Sequence, residues 1–273
     1  MFLKKLKPIS TFLIMGLVST TVLAHDPNFG IGPHVLFKDG LEVALEVDSA
    51  KAGSNKAQEL GVQVTYGLTG DWSVGVTTPY EFKDSATATS NGLGDVALFT
   101  KYRFWRQDSL GLQESAAVFM KLITDTAQKN KSPSLNKGTT DTIVGLTYGY
   151  EARKWYRWAS ARYRLNGTNN ELKRGDKILI DFVAGIRPEL TGYLEPDTVW
   201  LLELNGELGQ KATVNGATNA NTGGDEWFIS PGIFWTKRNF AIKAGVQIPI
   251  ASNLNGNQQK SNYRIRTTFE WHM

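Results

Sequence analysis

The chain has 273 residues, 30 Lys and Arg against 26 Asp and Glu, no cysteine and a mean hydropathy of −0.27. Without cysteine there is no disulfide, no thiolate metal site and no cysteine nucleophile. The basic excess is local: residues 1–24 hold Lys4, Lys5 and Lys7 and no acid, so the remainder carries 27 bases against 26 acids, which excludes the concentrated positive surface a nucleic-acid partner requires.

In chain order, residues 1–24 read as a secretory signal peptide. A basic start precedes an apolar run over 9–18, and Val22-Leu23-Ala24 offers a cleavage site. The run is too short and wrongly flanked for a membrane anchor, so a mature chain would begin at His25. Residues 25–40 follow, with Phe29, Ile31, Leu36 and Phe37 making them oddly apolar for a solvated tail. Such a segment enters a barrel as a plug, docks on its periplasmic rim, or extends the first strand.

From residue 41 onward the pattern is period-two alternation, the mark of half-buried strands. Strands are predicted over 41–48, 59–69, 72–83, 96–106, 114–124, 140–151, 155–165, 178–187, 198–207, 226–235, 240–250 and 262–273. Most reach the roughly 9–11 residues that a tilted membrane strand needs, and no run is long enough for a membrane helix. Odd-numbered connections, among them 84–95, 125–139, 166–177 and 207–225, are long and polar; even-numbered ones (70–71, 107–111, 152–154, 236–239) are tight, apart from 188–197. Twelve antiparallel strands joined in this way predict an all-β, up-and-down transmembrane barrel of the Gram-negative outer membrane over 41–273, with the short turns and both termini in the periplasm.

One strand face carries Val, Ile, Leu and aromatics, the other charge and glycine; in 74–82, Val74, Val76, Tyr80 and Phe82 alternate with Gly75, Thr77, Pro79 and Glu81. Aromatics gather beside the short turns at Trp72, Phe104, Trp155, Tyr156, Trp235, Phe240, Phe269 and Trp271, as an interfacial girdle requires. Pro231 falls in mid-strand, where it cannot donate to a ladder and calls for a bulge or a local break.

The inward face then collects Glu42, Glu46, Asp48, Gln63, Glu81, Lys101, Arg103, Lys121, Arg162, Arg164, Asp181, Arg187, Glu203, Glu207, Lys243, Arg264, Arg266 and Glu270. These residues either line a channel and set its selectivity, or pair with one another to fill a narrow interior. Catalysis has little to work with. Ser160 and Ser230 have no histidine base nearby in sequence, since His25 and His34 lie in the N-terminal segment and His272 near the end. His25 would offer an α-amine and an imidazole to a metal, with His34 behind it, but neither makes a recognisable site, and no cofactor is expected.

Two stretches resemble a known family. Gly92-Leu93-Gly94-Asp95-Val96, leading into 98–104, and Gly138-Thr139-Thr140-Asp141-Thr142-Ile143-Val144-Gly145 are similar to loop-to-strand motifs of the meta-pathway phenol-degradation outer-membrane family. The resemblance implies a transport-type barrel for small, often aromatic or hydrophobic, substrates and supplies no catalytic residue. The expectation is a monomeric channel for passive uptake or efflux of such solutes. Its partners would be outer-membrane lipid, lipopolysaccharide and the assembly machinery that reads the last strand. The alternatives are a mostly closed barrel that works through its outer loops, and metal handling by the processed N-terminus.

Overall fold

A computed structural model describes residues 26–169, 171–192 and 194–273; the signal-peptide reading and His25 lie outside them. Twelve strands form the wall: β1 (Leu41–Ala52), β2 (Asn55–Thr69), β3 (Trp72–Asp84), β4 (Ala97–Ser109), β5 (Leu112–Ile123), β6 (Asp141–Ala152), β7 (Trp155–Leu165), β8 (Lys177–Ile186), β9 (Asp197–Gly209), β10 (Gly224–Lys237), β11 (Phe240–Leu254) and β12 (Ser261–His272). Each pairs antiparallel with its sequence neighbours, and β12 pairs with β1 in register Val43↔Trp271 through Lys51↔Tyr263. The twelve-stranded wall therefore closes on itself, so its backbone groups are met largely within the sheet, as a lipid environment demands. No helix among the described residues is long and apolar enough to cross a membrane.

All twelve predicted strands are present, most of them longer than the alternation suggested. The largest change is at the first odd-numbered connection, open from 49 to 58 on the sequence reading. Strands β1 and β2 pair as far as Ala52↔Asn55, and the loop shrinks to Gly53-Ser54, with Gly53 in the left-handed region at φ +57°. Small and polar residues occupy both strand faces there, so alternation carries no signal. Similarly, 84–95 is not a plain loop: Thr89–Leu93 forms a short strand against the upper part of β3. In consequence β3 pairs with β4 only from Trp72↔Tyr102 to Thr77↔Ala97. The loops 166–176 and 210–223 meet in a four-stranded sheet of their own, built from two-residue strands. At Pro231 the β10–β11 ladder lapses, with pairing broken between Ile229↔Ile248 and Gly232↔Gly245.

Side chains alternate between faces as expected, with Val76, Leu98 and Phe182 outward and Thr77, Lys101 and Asp181 inward. Trp72, Phe104, Trp155 and Trp271 stand exposed on the outer face near the short turns. Tyr156 does not join them. It points inward, stacks on Trp158 at 5.4 Å between ring centroids, and packs on a dry cluster of Trp158, Val183, Val199, Leu201, Phe234 and Ala241. A second inward cluster joins Ala97, Ile123 and Ile143 to Phe119. A polar inner face thus holds only in part. Where side chains meet across a narrow interior and exclude water, apolar packing is favoured, at about 1.5–3 kcal/mol per large side chain.

Candidate functional site

The lumen is occupied by the chain itself. Residues 26–36 lie inside the barrel and touch β4, β6, β9, β11 and β12. Successive backbone N–H groups of Asn28, Phe29 and Gly30 donate to the Glu203 carboxylate at 2.7, 3.1 and 2.9 Å. Glu203 is 1% exposed, and a carboxylate so deep is tolerable only when its lone pairs are met. Around this anchor, Lys101 Nζ binds Asp26 Oδ2 at 2.7 Å, Thr147 Oγ1 donates to Ile31 O at 2.7 Å, and Arg266 Nη1 donates to Asn28 O at 3.2 Å. Gly32 N donates back to Asp26 Oδ1 at 3.0 Å, folding the segment into a bend. Burial would raise the Asp26 carboxyl, but Lys101, with Lys243 and His34 behind it, holds it below its usual range.

The wall is shaped to receive this bend. Gly232 and Gly245 face one another across β10 and β11. A Cβ on Gly232 would overlap Asn28 Nδ2, and one on Gly245 would stand 3.0 Å from the same atom and 3.1 Å from Phe29. A Cβ on Gly149 would come within 2.8 Å of Pro33. Of the four apolar residues proposed for a plug, Phe29 sits in the lumen under Arg266, with 5.7 Å from the guanidinium carbon to the ring centroid. Ile31 and Leu36 are half-buried there. Phe37 differs: it is 52% exposed at the rim, against Gly40 and Gly67. The most buried residues are instead Asn28, Pro33 and His34. Apolar content signalled that the segment needed a surface, but polar contacts hold it.

Every charged residue named for the lumen faces the interior or its rim, and nearly all are paired. Arg162 meets Asp181 at 2.5 Å, Arg164 meets Asp141 at 2.6 Å, Lys243 meets Glu270 at 2.6 Å, and Arg266 meets Asp48 at 2.8 Å. Arg103 meets Asp71 and Arg187 meets Asp197, each at 2.8 Å, near the short turns, and Glu81 meets Lys83 at 2.5 Å. Arg264 reaches Glu207, three strands away, with its guanidinium over the Phe228 ring. Asp141 also takes Arg174 from the 166–176 loop at 2.6 Å. Lys121 and Glu46 have no ion pair or hydrogen bond among the described residues. Both line a cavity of about 490 Å³ that runs along the bend, which Phe99, Phe119, Ile143 and Leu179 also line.

No catalytic set assembles among the described residues. Ser160 Oγ donates to Asp181 at 2.5 Å and Ser230 Oγ to Asn205 at 2.7 Å. His34 Nε2 stands 2.6 Å from Glu151, and its ring meets Trp158 edge-on. Glu42, Glu270 and His272 each bring a donor atom within 4.8 Å of the others, but Lys243 already supplies the cation at Glu270.

Three solved structures show the same barrel fold. An outer membrane channel from Pseudomonas putida F1 superposes with a TM-score of 0.71 at 13% identity, over 92% of this chain and 100% of that one. The β domain of the Bordetella autotransporter BrkA gives 0.53 at 11% identity over 86% and 99%, and the NanC porin gives 0.51 at 10% over 84% and 98%. No curated protein matches the chain in sequence. Residues 24–265 match the family described as "Putative MetA-pathway of phenol degradation", and with nearly its whole length covered the chain belongs to that family of outer-membrane barrels.

Proposed function

We propose that the protein is a monomeric outer-membrane channel for small aromatic or hydrophobic molecules, closed at its periplasmic end by the bend of residues 26–36. The short turns and the N-terminal segment then face the periplasm, and the 124–140, 166–176 and 210–223 loops face outward. The observation that carries this reading is the bend of 26–36 held on Glu203 with a partly apolar cavity of about 490 Å³ left along it. A barrel filled solely for stability would have little use for such a cavity. The pairing of most lumen charges leaves no ring of one sign along the path, which supports passage of small organic solutes over inorganic ions. The closed-barrel alternative keeps one point in its favour, the small sheet that joins two outer loops.

Conductance in planar bilayers tests the reading. The full mature chain is expected to pass little current, and deletion of residues 25–38 is expected to raise conductance sharply while the barrel keeps its heat-modifiable gel mobility. A folded barrel that conducts nothing, with or without the segment, would overturn the channel reading and leave the outer loops as the working surface.

A further inference from the structure

Nine of the charged residues named for the lumen are cations, and eight of them have a carboxylate partner; Lys121 has none among the described residues. It lies on the loop side of the bend, in the cavity. Its register partners are Phe99 on β4 and Ile143 on β6. All three point inward, and directly opposed residues in a sheet bring their Cβ atoms to about 4.5–5.5 Å. Phe119, two residues along β5, has its ring centroid 6.5 Å from that of Phe99, with the planes inclined by 31°. The ammonium therefore rises from an apolar shelf. Glu46 and Glu59 act on it from across the lumen, as do the paired cations Arg266 and Arg162, but neither glutamate comes within ion-pair distance.

We propose that this shelf binds a small aromatic carboxylate, with its ring on Phe99 and Phe119 and its carboxylate on Lys121 Nζ. A partly buried ammonium without a counter-ion is costly, and a passing anion supplies one by a charge-assisted hydrogen bond, about twice as strong as a neutral one. The aromatic lining of the shelf selects a ring over an aliphatic acid of the same charge. With a single unpaired cation the site suits a monoanion, since a second carboxylate would meet Glu46. The same glutamate weakens the grip, and a channel site must release what it binds. The substrate class rests on the channel reading for its meaning, but the site can be tested without it.

Calorimetric titration of the full detergent-solubilised barrel with benzoate, benzyl alcohol and acetate provides the test. Benzoate is expected to bind at least tenfold more tightly than either of the others. Lys121→Met should erase that excess and leave benzyl alcohol binding unchanged, while Lys121→Arg should keep most of it. Equal affinities for benzoate and acetate would overturn the proposal. So would a Lys121→Met barrel that binds benzoate like the parent, or one that fails to fold, since the lysine would then be structural. Liposome flux of benzyl alcohol separates the two readings: no flux with Lys121-dependent benzoate binding sinks the channel and spares the site, and the converse sinks the site alone.

Discussion

Glu203 is the residue on which the closed state turns. Replacing it with alanine removes the acceptor for three consecutive backbone N–H groups, at 2.7, 3.1 and 2.9 Å. A hydrogen bond to a charged group contributes about 1.5–3 kcal/mol, and each 1.4 kcal/mol is a tenfold change. Loss of even one should weaken docking of residues 28–30 by roughly one to two powers of ten, and loss of all three by more. The rest of the segment stays tethered, because His34 still meets Glu151 and Gly67 N still donates to Gly40 O at 2.9 Å. Amide hydrogen exchange over 28–30 reads this directly. Protection should fall in Glu203→Ala while the amides of β9 keep theirs. Glu203→Gln, which keeps one acceptor oxygen but sets an NH₂ donor against the backbone donors, should fall between. Unchanged protection at 28–30 in Glu203→Ala would refute the anchor and the closure mechanism built on it.

Gly232→Ala places a methyl group on Asn28 Nδ2 and should raise channel noise or conductance in bilayers, whereas Gly70→Ala, with nothing within 4 Å of the added carbon, should change neither. Arginine at the outward Val76, Leu98 or Ile180 should cost about 2–4 kcal/mol near the membrane midplane, as read by denaturant titration. Thr77 and Ala97, paired on the inner face, offer no tolerant contrast: each is 5% exposed, Ala97 among Ile123, Ile143 and Phe119, and Ala97→Arg should fail to fold. Protease added to intact cells should cut within 124–140 or 210–223 and never at 70–71 or 238–239; cleavage at the short turns would invert the orientation.

Alternation revealed the twelve strands, the up-and-down order and the facing of Val76, Leu98 and Lys101, because lipid on one side and polar filling on the other impose a period of two. It failed where that contrast vanishes. Residues 49–52 and 55–58 are small or polar on both strand faces, so nothing in their pattern separates strand from loop. Inside, Trp158, Val199 and Phe234 break the polar rule because they pack on one another. The segment 25–40 was recognisable as needing a surface, from Phe29 and Ile31. Its anchor was not, since Glu203 looks like any inward acid until backbone donors from a residue 175 positions away arrive at it. The glycines Gly232, Gly245 and Gly149 were equally silent: in a barrel sequence a glycine that admits another backbone reads the same as one at a kink.

The interior of a twelve-stranded barrel is too wide for its own side chains to fill and too narrow for a broad aqueous pore, and each feature of this lumen answers that intermediate width. On one side of the turn end, large inward side chains such as Trp158 and Phe234 fill the space dry. Beside them, where Gly149 pairs with Trp158 and Gly232 lies two residues from Phe234 and pairs with Gly245, a loop of backbone does the filling, bringing N–H donors that must be met by acceptors such as Glu203. Charges that neighbouring strands cannot neutralise reach across, as Arg264 does to Glu207. Lys121 is the cation left over where the filling stops and the cavity begins. An unneutralised charge in the cavity left along a packed plug is costly to keep if the barrel is inert. It is useful if something of opposite charge must pause there before the segment on Glu203 gives way.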